Sequence, residues 1–379
     1  MAADTSVLAR RFIGFADHEV VGDPLYVALC HHIAASPELL ALMQHAPPTQ
    51  RIPNLLLAAV HERVLAGVPH ALREYFPSVD GTRAPDAALP AVFDDFVAVQ
   101  RDVLCESLAT RSTQTNEIGR CAVLWPALCA LARRTGCARL ALLDFGSSAG
   151  LNLCVDGYRY DYRALALGAD ARDDVPAVQC HPVGARSQHA LQILAAHAPQ
   201  IVERIGVDPA AVDLHDAAQV RWLRACLWPY DRVRLARFDR AVALARQRGL
   251  RVQRCDDCAA AIEPWLDDLP DGVLPVVFNS WVLNYFDKSA RQVHIAWMRE
   301  LVQRRGIAWL SAEGAHIPLG AAPPPSGGDA QVSDEQLANG SLWWLTLRDP
   351  GAGAPSATLL ARSHPHGRWL QWLDAAAAG

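Results

Sequence analysis

The run Arg139-Leu-Ala-Leu-Leu-Asp144 passes into Phe145-Gly-Ser-Ser-Ala-Gly150, and this junction constrains the fold more than any other segment. A short apolar run that meets two spaced glycines reads as a buried strand entering a tight turn. The same texture recurs downstream, at Ile205–Asp208, Leu250–Arg254, Leu274–Phe278 and Ile307–Ser311. Helical patterns separate most of these runs, at Asp216–Cys226, Arg232–Arg248, Ala259–Leu266 and Ser289–Arg305. Strands alternating with helices imply a mostly parallel sheet with helices on both faces. Leu342–Leu347 and Ala357–Arg362 follow without a long helix between them, which predicts an antiparallel hairpin at the sheet edge.

Residues before the turn read differently. Leu25–Ala35, Asn54–Ala66, Ala91–Ala109 and Glu117–Arg133 carry apolar residues at three- and four-residue spacing, punctuated by prolines. The expected organisation is therefore a helical cap or substrate domain over residues 1–137 and an α/β domain over residues 138–379. Tyr158-Arg-Tyr-Asp-Tyr162 alternates in strand fashion inside an insertion near residues 155–200. Residues 320–330, GAAPPPSGGDA, predict a loop.

Composition removes several chemistries. Of the 35 basic residues only Lys288 is a lysine. A P-loop, a kinase ATP site and a pyridoxal-phosphate Schiff base each require one, so all three are excluded unless Lys288 serves. Net charge is −5 with no basic tail, so no nucleic-acid partner is expected. The start, MAADTSVLARRF, lacks the apolar core of a signal peptide, and no long uncharged apolar stretch suits a membrane span. The 10 scattered cysteines read as reduced thiols. Together these features predict a cytoplasmic protein with a small-molecule substrate.

The glycine turn carries two overlapping motifs. Asp144-x-Gly146-x-x-x-Gly150 lets a strand turn tightly into a helix whose free N–H groups face a nucleotide-like cofactor. This spacing resembles motif I of the Rossmann-like S-adenosylmethionine-dependent methyltransferases, with Ser148 where a middle glycine often stands. Gly146-x-Ser148-x-Gly150 is also the pattern of a serine-hydrolase nucleophile elbow. A hydrolase triad would draw its acid from Asp256 or Glu313 and its base from His364 or His366. A non-catalytic nucleotide or metabolite binder is the third reading.

Later strand ends supply the other candidates, because ligands of open parallel sheets bind at the carboxyl ends of strands. Asp208 would meet ribose hydroxyls, although it lies much further past the turn than the roughly 20 residues usual in dinucleotide sites. Asp256 and Asp257 would meet adenine, and Asn279 and Ser280 would lie beside the methyl donor. The polar strip Arg111-Ser-Thr-Gln-Thr-Asn-Glu-Ile-Gly-Arg120 is a candidate acceptor site. Arg111, Gln114, Asn116 and Arg120 would bind substrate and Glu117 would act as general base, facing Asn279 to Tyr285. The bland reading of the strip is a helix start with Thr113 or Thr115 as its N-cap. Trp281 or Tyr285 would present a ring to a sulfonium. Cys255-x-x-Cys258 and His364-Pro-His366 lack further ligands, so no metal site is expected.

Several long segments are similar to a bacterial family of uncharacterised proteins, domain of unknown function 2332. They are Asp23-Pro-Leu-Tyr26, Asn54-Leu-Leu-Leu-Ala-Ala-Val-His61, Gln114-Thr-Asn-Glu-Ile-Gly-Arg-Cys121 and Gly146-Ser-Ser-Ala-Gly-Leu-Asn-Leu153 in the first half. Tyr158 to Tyr162, Arg204-Ile-Gly-Val-Asp208, Trp222-Leu-Arg-Ala-Cys-Leu-Trp-Pro229 and His366-Gly-Arg-Trp369 complete the set. A glutamate is commoner in the family at position 144, and Cys255-Asp-Asp replaces a Gly-Asp-Ala-like turn. The resemblance implies a fold like that of class I methyltransferases and bears on the fold more than on the reaction. S-adenosylmethionine is the cofactor expected from the glycine turn itself.

Overall fold

The computed structural model describes residues 2–114, 116–349, 351 and 353–377. The chain divides into two compact units, Met1–Thr115 with Asp213–Asp239, and Asn116–Val212 with Arg240–Gly379.

The first unit is helical among its described residues. Helices Pro24–Ala35, Pro37–Leu42 and Pro53–Leu65 each begin on proline, where the missing N–H would have had no helical partner. Their apolar faces, including Leu25, Leu29, Ile33, Leu56 and Val60, enter one core with Phe93, Phe96, Leu104 and Trp222. The expected single helix over Ala91–Ala109 is two, Leu89–Val99 and Arg101–Thr110. They break at Gln100, whose side chain accepts a hydrogen bond from Arg63 Nε at 3.1 Å. Asp23 ties the unit together across a long sequence gap. One carboxylate oxygen caps Tyr26 N–H and the other accepts from Tyr230 N–H, both at 3.0 Å. Among the described residues no single helix is long and apolar enough to cross a membrane.

The second unit is built on a nine-stranded sheet. Its strands are β1 (Arg139–Phe145), β5 (His181–Pro182), β6 (Gln200–Asp208), β7 (Val252–Arg254), β8 (Leu274–Ser280), β9 (Ala308–Gly314), β10 (Ser341–Leu347), β11 (Ser356–Ser363) and β12 (Trp369–Trp372). The spatial order is β5-β12-β11-β10-β9-β8-β1-β6-β7. β1 pairs in parallel with both β6 and β8, and the parallel register extends to β7 on one side and β9 on the other. All β1 residues after Arg139 are buried, as a strand covered on both faces requires. Ala141, Leu143 and Phe145 pack with Met298, Leu301 and Val302 of helix Lys288–Arg305.

β10 and β11 form the expected antiparallel pair. They do not end the sheet, because β12 pairs with β11 and β5 with β12. Two short strands distant in sequence complete that edge, and neither is long enough to register as a periodic pattern.

The insertion is a three-stranded sheet of β2 (Arg159–Tyr162), β3 (Leu165–Gly168) and β4 (Ala177–Gln179). Period-two alternation buries Tyr158, Tyr160 and Tyr162, while Arg159 and Asp161 pair on the other face at 2.8 Å. The three hydroxyls donate to the carbonyls of Leu151, Val155 and Ala122. Residues 320–330 contain no helix or strand.

Asp23→Ala removes a helix cap worth about 1 kcal/mol. It also leaves the Tyr230 N–H unpaired, at about 1–3 kcal/mol more. Urea unfolding is expected to show a loss of about 2–4 kcal/mol, and Asp23→Asn, which keeps an acceptor oxygen, a smaller one.

Candidate functional site

In the second unit the glycine turn leaves the carboxyl end of β1. Gly146 and Ser147 both donate their N–H to Val207 O of β6, at 2.9 and 3.2 Å. Gly146, Ser148 and Gly150 have φ of 79°, 52° and 69°. A Cβ on Gly146 would lie 2.5 Å from Val282 Cγ2, so both conformation and space demand glycine there. Ser148 takes the left-handed conformation without being glycine and is held on every side. Its N–H donates to Asp208 Oδ2 at 2.7 Å, its carbonyl accepts from Val212 N–H at 3.0 Å, and its Oγ accepts from Asn116 Nδ2 at 2.8 Å. Asn116 Oδ1 also accepts from Ala149 N–H. Strain of this kind persists only where surrounding bonds over-determine it.

The turn does not open a long helix. Leu151–Gly157 is a kinked 3-10 segment. The carbonyls that an α-helix would use internally are taken elsewhere: Leu151 O and Val155 O by the tyrosine hydroxyls, and Leu153 O by Arg204. The expected helix N-terminus beneath a cofactor is therefore absent, because the inserted sheet captures this segment.

Four carboxyl side chains are buried here, Glu117, Asp144, Asp208 and Glu313, near the buried arginine Arg120. Asp208, at the end of β6, accepts from Ser148 N–H with one oxygen and from Ala210 N–H with the other, both at 2.7 Å. Asp144 Oδ2 is buried and has no hydrogen-bond partner among the described residues. Burial, then the neighbouring Asp208 charge, pushes the Asp144 carboxyl well above its usual range, with Arg120 opposing. Glu313, in β9, accepts from the N–H groups of Val282 and Leu283 and the amides of Asn279 and Asn284. Burial raises its pKa against those bonds.

The loop after β8 is the second strained segment. Trp281 has φ 60°, an outlier for so bulky a residue. Its N–H donates to Ala312 O and its indole to Ser341 Oγ. Arg120 lies 5.9 Å from the Trp281 ring centre and donates to Ser280 O, Ser280 Oγ and Pro365 O. Tyr285 is 71 % exposed.

The structure thus gathers Asn116, Glu117, Arg120, Asp144, Gly146, Ser148, Gly150, Asp208, Ser280 and Tyr285 within one unit. Arg111 and Gln114 belong to the other unit, where Arg111 lies over the Trp222 ring at 5.2 Å. Glu117 caps the 3-10 turn Ile118–Arg120 through Gly119 N–H. That role replaces the expected cap at Thr113, whose N–H instead donates to Gln50 Oε1; Thr115 lies outside the described residues. Both amide hydrogens of Asn279 are engaged, by Ser311 and Glu313, and its oxygen accepts from the Trp309 indole. It braces the sheet and has no amide hydrogen left for an acceptor. Asp256 and Asp257 are exposed, and Asp257 caps Ala259 and Ala260.

The roles of three glycines escape sequence reasoning. Gly206 admits the turn, since a Cβ there would lie 2.5 Å from Ser147 Oγ. A glycine inside the run Ile205–Asp208 was the available signal. Gly119 and Gly367 cross backbone to backbone, a Cβ on Gly367 falling 1.9 Å from Gly119 O. The sequence offers Glu313 only as a candidate hydrolase acid, and its place under the loop after β8 follows from contacts distant in sequence. Among the described residues no group of three His, Cys, Asp or Glu side chains is placed to hold a metal ion.

The raised carboxyl of Asp144 has a sign. Above the ordinary value of about 3.9 the folded state holds a proton that the unfolded chain has released. Stability then falls as pH rises, until the folded carboxyl also ionises. Urea midpoints are expected to decline less steeply with pH in Asp144→Asn than in the natural chain. Identical slopes would contradict the assignment.

No curated protein and no solved structure matches the chain. One family does, described as uncharacterized protein conserved in bacteria (DUF2332), over residues 9–372. The chain, whose glycine turn, buried tyrosines and strand-end carboxylates all lie within that span, belongs to this bacterial family of uncharacterized proteins.

Proposed function

We propose that the protein is an S-adenosylmethionine-dependent methyltransferase acting on a small molecule, with a Rossmann-like methyltransferase fold in its second unit. The strand order supports this reading. From the central β1 the chain builds β6 and β7 to one side, then returns to build β8 and β9 on the other. The order reverses between β1 and β8, and the glycine turn and the Trp281 loop leave the sheet there. Open parallel sheets bind ligands at such switch points. β10 and β11 supply antiparallel strands beyond β9.

The observation that carries the proposal is the charge of the turn. Asp208, at the end of β6, braces it, and the unpartnered oxygen of Asp144 lies buried near the end of the neighbouring strand β1. With the Asp208 carboxylate there and no α-helix N-terminus, the turn suits a cationic, unphosphorylated nucleoside better than a dinucleotide pyrophosphate, and a cation beside Asp144 would favour release of the proton that burial keeps on it. When bound, S-adenosylmethionine supplies an already activated methyl group. The protein's part is positioning and the exclusion of water. Asp208 keeps the turn in shape for the nucleoside, Asp144 offers an acceptor oxygen, and Arg120 holds the Ser280–Trp281 backbone. Glu117 is the proposed base toward the acceptor.

Calorimetry with S-adenosylmethionine and S-adenosylhomocysteine tests the reading. Both are expected to bind, and Asp208→Ala to weaken binding about tenfold or more, the value of a charge-assisted hydrogen bond. Absence of heat with either ligand would reject it.

The serine-hydrolase alternative has the left-handed φ of Ser148 in its favour. Against it, Ser148 is buried and its Oγ accepts from an asparagine amide. Glu313 bonds to backbone N–H groups and amides rather than to an imidazole. A fluorophosphonate probe is expected to leave Ser148 unlabelled; labelling that disappears in Ser148→Ala would establish the hydrolase instead.

A further inference from the structure

Cys255 and Cys258 stand just past β7, in the turn that leads toward helix Ile262–Asp267. Their sulfurs are 3.3 Å apart, with the Cys255 thiol donating to Cys258 Sγ. Cys258 is buried and donates to Cys255 O at 3.4 Å, while Cys255 is half-buried. Among the described cysteines no other pair has its sulfurs in hydrogen-bond contact. A disulfide bond is about 2.05 Å long, so the sulfurs are roughly 1.3 Å from bonding distance.

The pair also touches the candidate site. Cys255 N–H donates to Asp208 O at 3.2 Å, and the same aspartate's carboxylate holds Ser148 N–H. β7 pairs with β6 up to the register Asp208↔Arg254, so the two turns are neighbours in one backbone ladder.

We infer that Cys255 and Cys258 form a reversible disulfide whose closure alters the Asp208-held glycine turn. The oxidant is a small-molecule disulfide of the glutathione type. Cys255, as its thiolate, attacks one sulfur; the oxidant's S–S bond breaks, one thiolate leaves and takes a proton, and a mixed disulfide forms. Cys258 then attacks Cys255 Sγ, its proton passing to the departing sulfur as the mixed disulfide's S–S bond breaks, so that the second small-molecule thiol is released. Two cysteine thiols thereby lose two electrons and two protons, and one disulfide becomes two thiols. Cys255, the more exposed sulfur, is the attacking group and Cys258 the resolving one. Burial, the Cys255 hydrogen bond and the nearby Asp208 and Asp257 charges keep the Cys258 thiol protonated. The reduced form therefore gains nothing from a stabilised thiolate, which favours a disulfide that is stable once formed.

The test is equilibration of the native full chain in graded ratios of reduced to oxidised glutathione. Free thiols are then alkylated under denaturing acid-quenched conditions, and the peptides weighed. The expected result is a two-hydrogen loss confined to the peptide bearing Cys255 and Cys258, reversed by excess reduced glutathione. Cys258→Ser should accumulate one glutathione on Cys255, and Cys255→Ser none on Cys258. Both cysteines fully alkylated at the most oxidising ratio would overturn the disulfide. Amide hydrogen exchange over residues 146–150 reads the coupling. It is expected to differ between dithiol and disulfide forms, and to be insensitive to glutathione ratio in Cys255→Ser, which takes up neither the disulfide nor a glutathione. Equal exchange in the two forms would overturn the link to the turn. Neither readout depends on S-adenosylmethionine binding, so this inference and the methyltransferase reading fail separately.

Discussion

Asp208 gives one carboxylate oxygen to the N–H of Ser148 and the other to the N–H of Ala210, and the conformation of the strand-end region follows from it. A serine at φ 52° is held by bonds to its N–H, carbonyl and hydroxyl together. Of these, the carboxylate is the charged one, and charge-assisted bonds are roughly twice as strong as neutral ones. The turn it stabilises lets β1 and β6 end side by side with glycines at their closest approach, Gly206 making room for Ser147. Through the Cys255 N–H the same aspartate also reaches the turn after β7.

Burying four carboxyl groups near Arg120 requires compensation, and the structure supplies it unequally. Glu313 is compensated by four hydrogen bonds and so anchors the Trp281 loop, whose left-handed tryptophan would otherwise relax. Asp208 is compensated by backbone N–H groups. Asp144 retains an unpartnered oxygen, and proximity to Asp208 adds repulsion. A group left in this state at a strand end is better explained by a ligand than by stability, since an apolar residue would pack there without penalty. A cation beside Asp144 would favour its ionised form, and this asymmetry underlies the proposal of a cationic ligand.

Much of this architecture is legible in the sequence. The parallel strands around β1, the buried tyrosine face and the turn at Gly146–Gly150 rest on periods of two, on apolar runs and on glycine, all local properties. The site was legible only as residue types. Asn279 sits after a strand run, as a catalytic asparagine would, yet its amide is absorbed by Trp309, Ser311 and Glu313. Arg111 and Arg120 look equivalent as the ends of one polar strip, yet the fold assigns them to different units. The pairing partners of a side chain depend on contacts far away in the sequence, which no local pattern encodes.

The amino-acid order alone indicates most of the strands and helices and a tight glycine turn after Asp144, because these follow from side-chain periodicity and backbone sterics. It also excludes lysine-dependent chemistry beyond Lys288. The tertiary structure decides what the turn leads into. The inserted tyrosines remove the carbonyls a helix would need, and a 3-10 segment forms in its place. It likewise decides which carboxylates are braced and which is left without a partner, because desolvation and hydrogen bonding are set by neighbours that only folding brings together.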